Sequence, residues 1–253
     1  MMPVLFVSHG APSMLLEEDP AKDVLCKLSS SLPHPKAILC ISPHWQTAEI
    51  ALSVSNSPET IHDFYGFPKS LYQLQYPAAG APELAADLAT ALRQQGHHVC
   101  LVERGLDHGA WTPLKLIYPN ADIPVLGMSL PAHRSAKQFY RLGQQLSFLR
   151  RQGVLILASG SATQNLSRLS APGTVTEPWA RQFQEWLLEM LQQGGHGFEA
   201  WESTAPYARL AHPTTEHLDP LWIALGAAED SPLKVLYQGF SHGSLGMIHL
   251  QWG

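Results

Sequence analysis

Apolar residues, many of them β-branched, gather along the chain in short runs: residues 3–8, 37–42, roughly 99–103, 123–129, 153–158, 233–238 and 246–251. Each has the length of a strand, and nearly continuous apolar character suits strands covered on both faces of a parallel sheet. Between them the pattern changes to a helical period. Residues 81–95 are rich in Ala and Leu, carry Pro82 at their start and stop at Gly96, which are start and stop signals of a helix. From Ser135 to Gln152, Phe139, Leu142, Leu146 and Leu149 fall on one face, and Gly153 ends the run. Glu177 to Gln193 repeats the pattern with Trp179, Phe183, Trp186, Leu187 and Met190, and a shorter helix is predicted over His217–Leu225. The stripes read as core faces, in part as a dimer surface, so a homo-oligomer is among the expectations.

Strands alternating with helices predict α/β architecture: a single domain over residues 1–253, with a mostly parallel central sheet and helices on both faces. The last two runs, joined by a short loop around Ser241-His242-Gly243-Ser244, are expected to pair antiparallel at one edge. Residues 52–80, with Pro58, Pro68, Pro77 and Gly80, read as one long excursion off the sheet. Long ordered excursions in a compact domain usually shape a site.

Composition narrows the function. With 253 residues and 45% apolar content the chain can bury a sizeable core. Its net charge of −5 and scattered Lys and Arg argue against a nucleic-acid partner. No stretch approaches the roughly 20 apolar residues of a membrane span, and the first strand starts at once, without the layout of a secretory signal. The expectation is a cytoplasmic protein with no membrane partner. Cys26, Cys40 and Cys100 show no zinc-type spacing, and Cys40 and Cys100, inside apolar runs, are expected as buried free thiols.

Histidine, present thirteen times, changes the picture more. His34, His97, His98, His133 and His196 sit in polar, loop-like surroundings, but the first two strands both run into a histidine: Val4-Leu5-Phe6-Val7-Ser8-His9-Gly10 and Ala37-Ile38-Leu39-Cys40-Ile41-Ser42-Pro43-His44-Trp45. Parallel α/β sheets collect ligands at the carboxyl ends of their strands, and imidazole is the commonest protein ligand of metals. Two such histidines therefore point to a metal. Four further segments place polar groups at strand ends or loop tips: Ile61-His62-Asp63-Phe64, Leu106-Asp107-His108-Gly109-Ala110-Trp111, Ala158-Ser159-Gly160-Ser161-Ala162-Thr163-Gln164-Asn165-Leu166, and His212-Pro213-Thr214-Thr215-Glu216-His217. The third follows the strand Val154–Leu157, so it opens at the same sheet edge; the fourth offers Glu216 or His217 to complete a set of three ligands. His62 with Asp63 either orients a ligand or caps the following turn, and Trp45 and Trp111 belong to the core or to an aromatic wall. The turn at Gly160 has neither the GxSxG of a serine hydrolase nor a phosphate-cradling loop.

Taken together and in order, these segments, with Gly66-Phe67-Pro68, Tyr76-Pro77-Ala78, Pro220-Leu221 and Gly243-Ser244-Leu245, resemble the class III extradiol ring-cleavage dioxygenases, in particular the bacterial and plant DOPA 4,5-dioxygenase group. The resemblance runs along essentially the whole chain. It implies one non-haem Fe(II), or Zn(II) in the same site, held by His9, His44 and His217; because the wider class uses a Glu as third ligand, Glu216 stays an alternative. It also implies a small-molecule catechol and O2 as substrates, with ring opening beside the two hydroxyls. Where the family carries an acid–base histidine, in a segment like Ser-Gly-Asn-x-x-His-Asn-Leu, this chain has Gln164. Glutamine cannot exchange a proton near neutral pH, and general acid–base help is worth about 10²–10⁴ in rate. The expectation is thus a slow or altered enzyme, with Gln164 and His108 as catalytic positions and His242 or His212 as other substitutes for the proton carrier. Two readings stand beside it: a non-catalytic metal-binding or interaction protein on the same fold, and a zinc-dependent hydrolase.

Overall fold

The computed structural model describes residues 1–253. Its strands are β1 (Val4–Ser8), β2 (Ala37–Thr47), β3 (Ile50–Ser53), β4 (Val99–Val102), β5 (Val125–Pro131), β6 (Val154–Gly160), β7 (Leu233–Ser241) and β8 (Leu245–Trp252). Every predicted strand is present, and β3 is additional. They form one sheet in the order β4-β3-β5-β2-β6-β1-β8-β7. The central four, β5, β2, β6 and β1, are parallel. On one side β8 runs antiparallel to β1 and pairs with β7 as the expected edge hairpin. On the other side β3 meets β5 antiparallel through Leu52 and Met128 and carries β4 parallel beside it.

The helices are α1 (Pro20–Leu28), α2 (Pro82–Gln94), α3 (His108–Ile117), α4 (Ala136–Leu146), α5 (Phe148–Arg151), α6 (Pro178–Gln192), α7 (Trp201–Thr204), α8 (Ala208–Ala211) and α9 (Asp219–Ala228). The helix predicted over 135–152 is interrupted at Ser147, and the one predicted from His217 begins two residues later, leaving His217 in the turn before it. Helices α1 and α3 lie where no helix was predicted. Helix α1 is started by Asp19, whose carboxylate accepts from the Ala21 N–H at 2.7 Å, and by Pro20 in the first position. Helix α3 has nine of its ten residues buried and Pro113 inside it, so it shows no polar stripe from which a period can be read.

Alternate strand residues serve opposite faces. In β1, Val4 and Phe6 join a core shared with α2, α4, α6 and α9, while Leu5 and Val7 join one shared with α1 and α3. The sheet is therefore covered on both sides, as expected. Trp45 and Trp111 are both buried, Cys40 is buried, and Cys100 is exposed, contrary to expectation. Its strand, β4, is the sheet's edge, so an apolar run there does not mean burial on both faces. No helix is long and apolar enough to cross a membrane.

Candidate metal centre

The carboxyl ends of β1, β2 and β6 lie side by side, and each is shaped to deliver one part of the site. β1 ends opposite Gly160, and the His9 N–H donates to the Gly160 carbonyl at 3.2 Å. In β2 the register against β5 breaks between Ile41 and Gln46, so Ser42-Pro43-His44-Trp45 bulges from the ladder. A bulge re-aims side chains, and Pro43 has no N–H to lose there. The guanidinium of Arg104 secures this bulge from outside, reaching the His44 carbonyl at 3.4 Å and stacking over Trp45 at 5.0 Å. β6 ends at Gly160, where a Cβ would stand 2.2 Å from the His217 carbonyl oxygen. Only glycine lets the His217 turn approach this closely, and the Ser161 N–H then donates to that same carbonyl at 2.8 Å.

The result brings three of the predicted residues together. One potential ligand atom from each of His9, His44 and His217 lies within 4.8 Å of the others. His9 Nε2 and His44 Nε2 are 3.1 Å apart. The opposite nitrogens face outer partners: His9 Nδ1 is 2.9 Å from the Ser159 hydroxyl, His217 Nδ1 is 3.2 Å from Glu216 Oε1, and His44 Nδ1 is 3.7 Å from Asp63 Oδ2. His217 Nε2 is buried with no partner. Burial, then the neighbouring imidazoles, hold the His9 pKa well below its ordinary value. Burial leads again at His44, with His108 and His217 adding to it against the pull of Asp63 and Glu216, and its pKa falls to about 3. Clustered imidazoles with an orphaned inward nitrogen on His217 are a donor set suited to a divalent cation, and the residues present fit such an ion.

Glu216 is not in that group. Its Oε1 accepts from the Thr214 hydroxyl at 2.9 Å and faces His217 Nδ1. Burial works against its ionisation, but the contact with His217 leads the groups that outweigh it and hold its pKa at about 2. Asp63 plays a similar part for a fourth histidine. The His108 backbone N–H donates to Asp63 Oδ1 at 2.8 Å, and His108 Nδ1 lies 3.0 Å from the same oxygen, a close contact without hydrogen-bond alignment. Burial again opposes ionisation of Asp63, yet His108 prevails and its pKa sits at about 2. The His108 ring stacks beside His44, with centroids 4.0 Å apart. Gly109 makes this possible, since a Cβ there would come within 2.4 Å of the Ser42 hydroxyl and 2.8 Å of the His44 ring. His44, Asp63 and His108 form a second set of clustered donors sharing His44 with the first.

These histidines open onto a cavity of about 480 Å³, also lined by Gln164 and His242. Against known sequences, residues 3–250 match the family described as the catalytic LigB subunit of aromatic ring-opening dioxygenase. The chain belongs to this family. A 4,5-DOPA dioxygenase extradiol of Beta vulgaris is 41% identical over 245 residues, covering 94% of this chain and 91% of that protein. The protein of the same name from Escherichia coli strain K12 is 35% identical over 258 residues, covering all of this chain and 95% of its own. A crystal structure of an uncharacterized Escherichia coli K12 protein superposes with a TM-score of 0.85 at 31% identity, and each chain is covered in full.

For this ring-opening dioxygenase fold, the long excursion is what the sequence could least resolve. Of the pair at its start, His62 turns away, its Nε2 2.9 Å from the Leu74 carbonyl, while Asp63 reaches the histidines. The excursion is strapped to the approach of α3 by the Ile61 N–H on the Leu106 carbonyl at 2.8 Å and the Leu106 N–H on the Glu59 carbonyl at 2.8 Å. His212 is buried outside the cavity with Nε2 2.9 Å from the Ala162 carbonyl, which leaves it out of reach of a substrate. Ser159, as a support for His9, and the cavity wall residues Tyr65, Phe67, Leu166 and Leu169 went unread in the sequence. Ser159, Phe67 and Leu166 lie in motifs already singled out and Tyr65 in the excursion, whereas Leu169 carried no signal.

Proposed function

We propose that this chain is a metal-dependent extradiol dioxygenase that opens the ring of a catechol with O2, with His9, His44 and His217 holding Fe(II). The convergence of three imidazoles at the carboxyl ends of the sheet is the observation that carries the reading. Fe(II) held by His9, His44 and His217 would supply the redox chemistry that ring opening by dioxygen needs, whereas Zn(II) would fill the same nitrogens without redox activity. The protein's own groups do the rest. Ser159, Asp63 and Glu216 face the outer nitrogen of each ligand ring and orient it. His108, with Nδ1 3.0 Å from Asp63 and its ring on the cavity, is the group placed to move a catechol hydroxyl proton as the substrate enters. Gln164, on the same cavity, orients the substrate by hydrogen bonding. Protein loaded with Fe(II) without oxygen, then mixed with DOPA and simpler catechols in air, should consume O2 and form a yellow ring-opened product. His9→Ala and His217→Ala should lose metal and activity together; full activity in either would remove the assignment.

A second reading, a metal-binding protein on this fold with little catechol turnover, is favoured by one residue, Gln164 in the cavity wall. Gln164→His separates the two. A rise of about 10²–10⁴ in kcat assigns the missing acid–base step to this position; an unchanged rate means that another residue handles the proton or that the reaction differs.

A further inference from the structure

We infer that His242, on the tip of the β7–β8 hairpin, is a specificity-determining residue: its ring donates to a hydrogen-bond-accepting group, such as a carboxylate, on the substituent of the catechol. The inference rests on the catechol reading above and adds to it the residue that selects the rest of the molecule.

The turn itself does not call for this side chain. β7 ends at Ser241 and β8 starts at Leu245. Between them His242 and Gly243 are both left-handed, with φ of 51° and 76°. Two such residues in succession favour Asn-Gly, Asp-Gly or Gly-Gly in a hairpin. Histidine is tolerated there, and non-glycine residues held in this conformation gather at functional sites. The tip is also held still. The His242 and Gly243 carbonyls accept from the Ser170 and Glu177 N–H groups, each at 2.8 Å. The Ser244 hydroxyl donates to the Arg168 carbonyl at 3.0 Å, and the Thr163 hydroxyl donates to the Ser244 carbonyl at 2.6 Å. All four partners belong to the segment after β6 that carries Gln164, so the backbones at His242 and Gln164 reach the cavity as one braced unit.

Chemistry and placement then say what the ring can do. His242 is the one imidazole on the cavity besides those of His9, His44, His108 and His217. Its Nδ1 lies 2.7 Å from the Ser241 hydroxyl. When that hydroxyl donates to Nδ1, and equally when the ring is protonated, Nε2 is a donor. The sheet order divides the lining. Ser13, Gln164 and His242 follow β1, β6 and β7, on the half of the sheet that ends in the hairpin; Phe64, Tyr65 and Phe67 belong to the excursion after β3, on the other half. Leu166, Leu169 and Leu245 add aliphatic surface. One side of the cavity thus supplies hydrogen-bond donors, and the other supplies aromatic surface for the catechol ring. A ring lying against the aromatic side presents an acceptor on its substituent to His242. Because His242 is half-buried, that acceptor keeps part of its water, and the contact selects without requiring full desolvation.

The test compares 3-(3,4-dihydroxyphenyl)propanoate with 4-propylcatechol, matched in reach and differing in the acceptor. Calorimetry on Zn(II)-loaded protein gives Kd for each, and oxygen uptake by Fe(II)-loaded protein gives KM and kcat. His242→Gly and His242→Asp both suit a left-handed turn; one removes the ring and the other puts a negative charge in its place. The ratio of Kd for the propanoate to Kd for 4-propylcatechol should rise about fivefold or more in His242→Gly and further in His242→Asp, with the KM ratio following. A Kd ratio unmoved in both variants overturns the inference and leaves the catechol reading standing. So does a fall in kcat by one factor on both compounds at an unmoved Kd ratio, which would place His242 in the chemistry. Loss of the folded state in both variants also overturns it, since His242 would then serve the hairpin alone. No binding and no turnover of either compound by the parent protein overturns both readings.

Discussion

The three clustered imidazoles of His9, His44 and His217 share one arrangement: Nδ1 turns to an outer oxygen, and the inward side faces the other two rings. The outer partners differ, a hydroxyl for His9 at 2.9 Å and carboxylates for His44 and His217 at 3.7 and 3.2 Å. Asp63 is the most loaded of them, serving the His44 ring, the His108 ring and the His108 backbone N–H with one carboxylate. Asp63→Asn keeps the shape and removes the charge. Outer partners of this kind typically cost 10–100-fold in metal affinity or activity, so the variant should lose about that much in a metal-binding isotherm or in kcat, while its thermal unfolding shifts little. Unchanged values would show that position alone, and not charge, is what Asp63 contributes. At this scale much was legible in the sequence: His9, His44 and His217 stand at strand ends and in turns that can be read locally. Which member of a neighbouring pair enters the site was not, because a one-residue choice between His62 and Asp63 depends on how the excursion is strapped to residue 106.

At the scale of elements, close approach is bought by glycine, and the site is one of several places where this happens. Helices α4 and α9 cross through reciprocal contacts: a Cβ on Gly226 would stand 1.9 Å from the Tyr140 carbonyl oxygen, and one on Gly143 would stand 2.1 Å from that of Ile223. Because α9 follows directly on the His217 turn, this crossing also sets where the His217 ring can sit. Gly226→Ala should force the helices apart and destabilise the fold by about 1–3 kcal/mol, read as a lower urea midpoint at constant m. An unchanged midpoint would mean that the pair yields without cost. Buried Arg150 fixes the far end of the same helix, donating to the Ala227 and Ala228 carbonyls at 3.0 and 2.8 Å and to the Met2 carbonyl at 2.8 Å. It thereby ties the entry to β1 to the end of α9.

Over the whole molecule, buried histidines couple the fold to pH. His249, in the centre of β8, has Nε2 3.1 Å from the Ala21 carbonyl, and burial pushes its pKa to about 4 against the pull of its backbone bonds. His212 behaves alike, also at about 4. The unfolded chain protonates such groups near an ordinary value of 6.5, the native one only near 4. Their contribution to stability is therefore complete above about pH 6.5 and lost as pH falls toward 4. Asp219 works the other way: burial raises its pKa to about 7, so its native form holds a proton that the unfolded chain has released. His249→Gln removes one acid-sensitive group without touching the site, and its urea midpoint should fall less between pH 7 and 5 than that of the parent. Equal slopes would show that His249 does not titrate with unfolding. The sequence by itself determined the alternation of strands and helices, the two-sided sheet, the edge hairpin and the strand-end histidines, because periodicity, capping residues and Gly or Pro boundaries act over a few neighbours. Tertiary structure decided the strand order, the exposure of Cys100 on the edge, the uniformly buried helix α3 and the cavity walls. Each of those depends on what a segment is packed against, and Tyr65 and Leu166, about a hundred residues apart in the chain, share a wall only because the sheet places the excursion after β3 and the loop after β6 at one mouth.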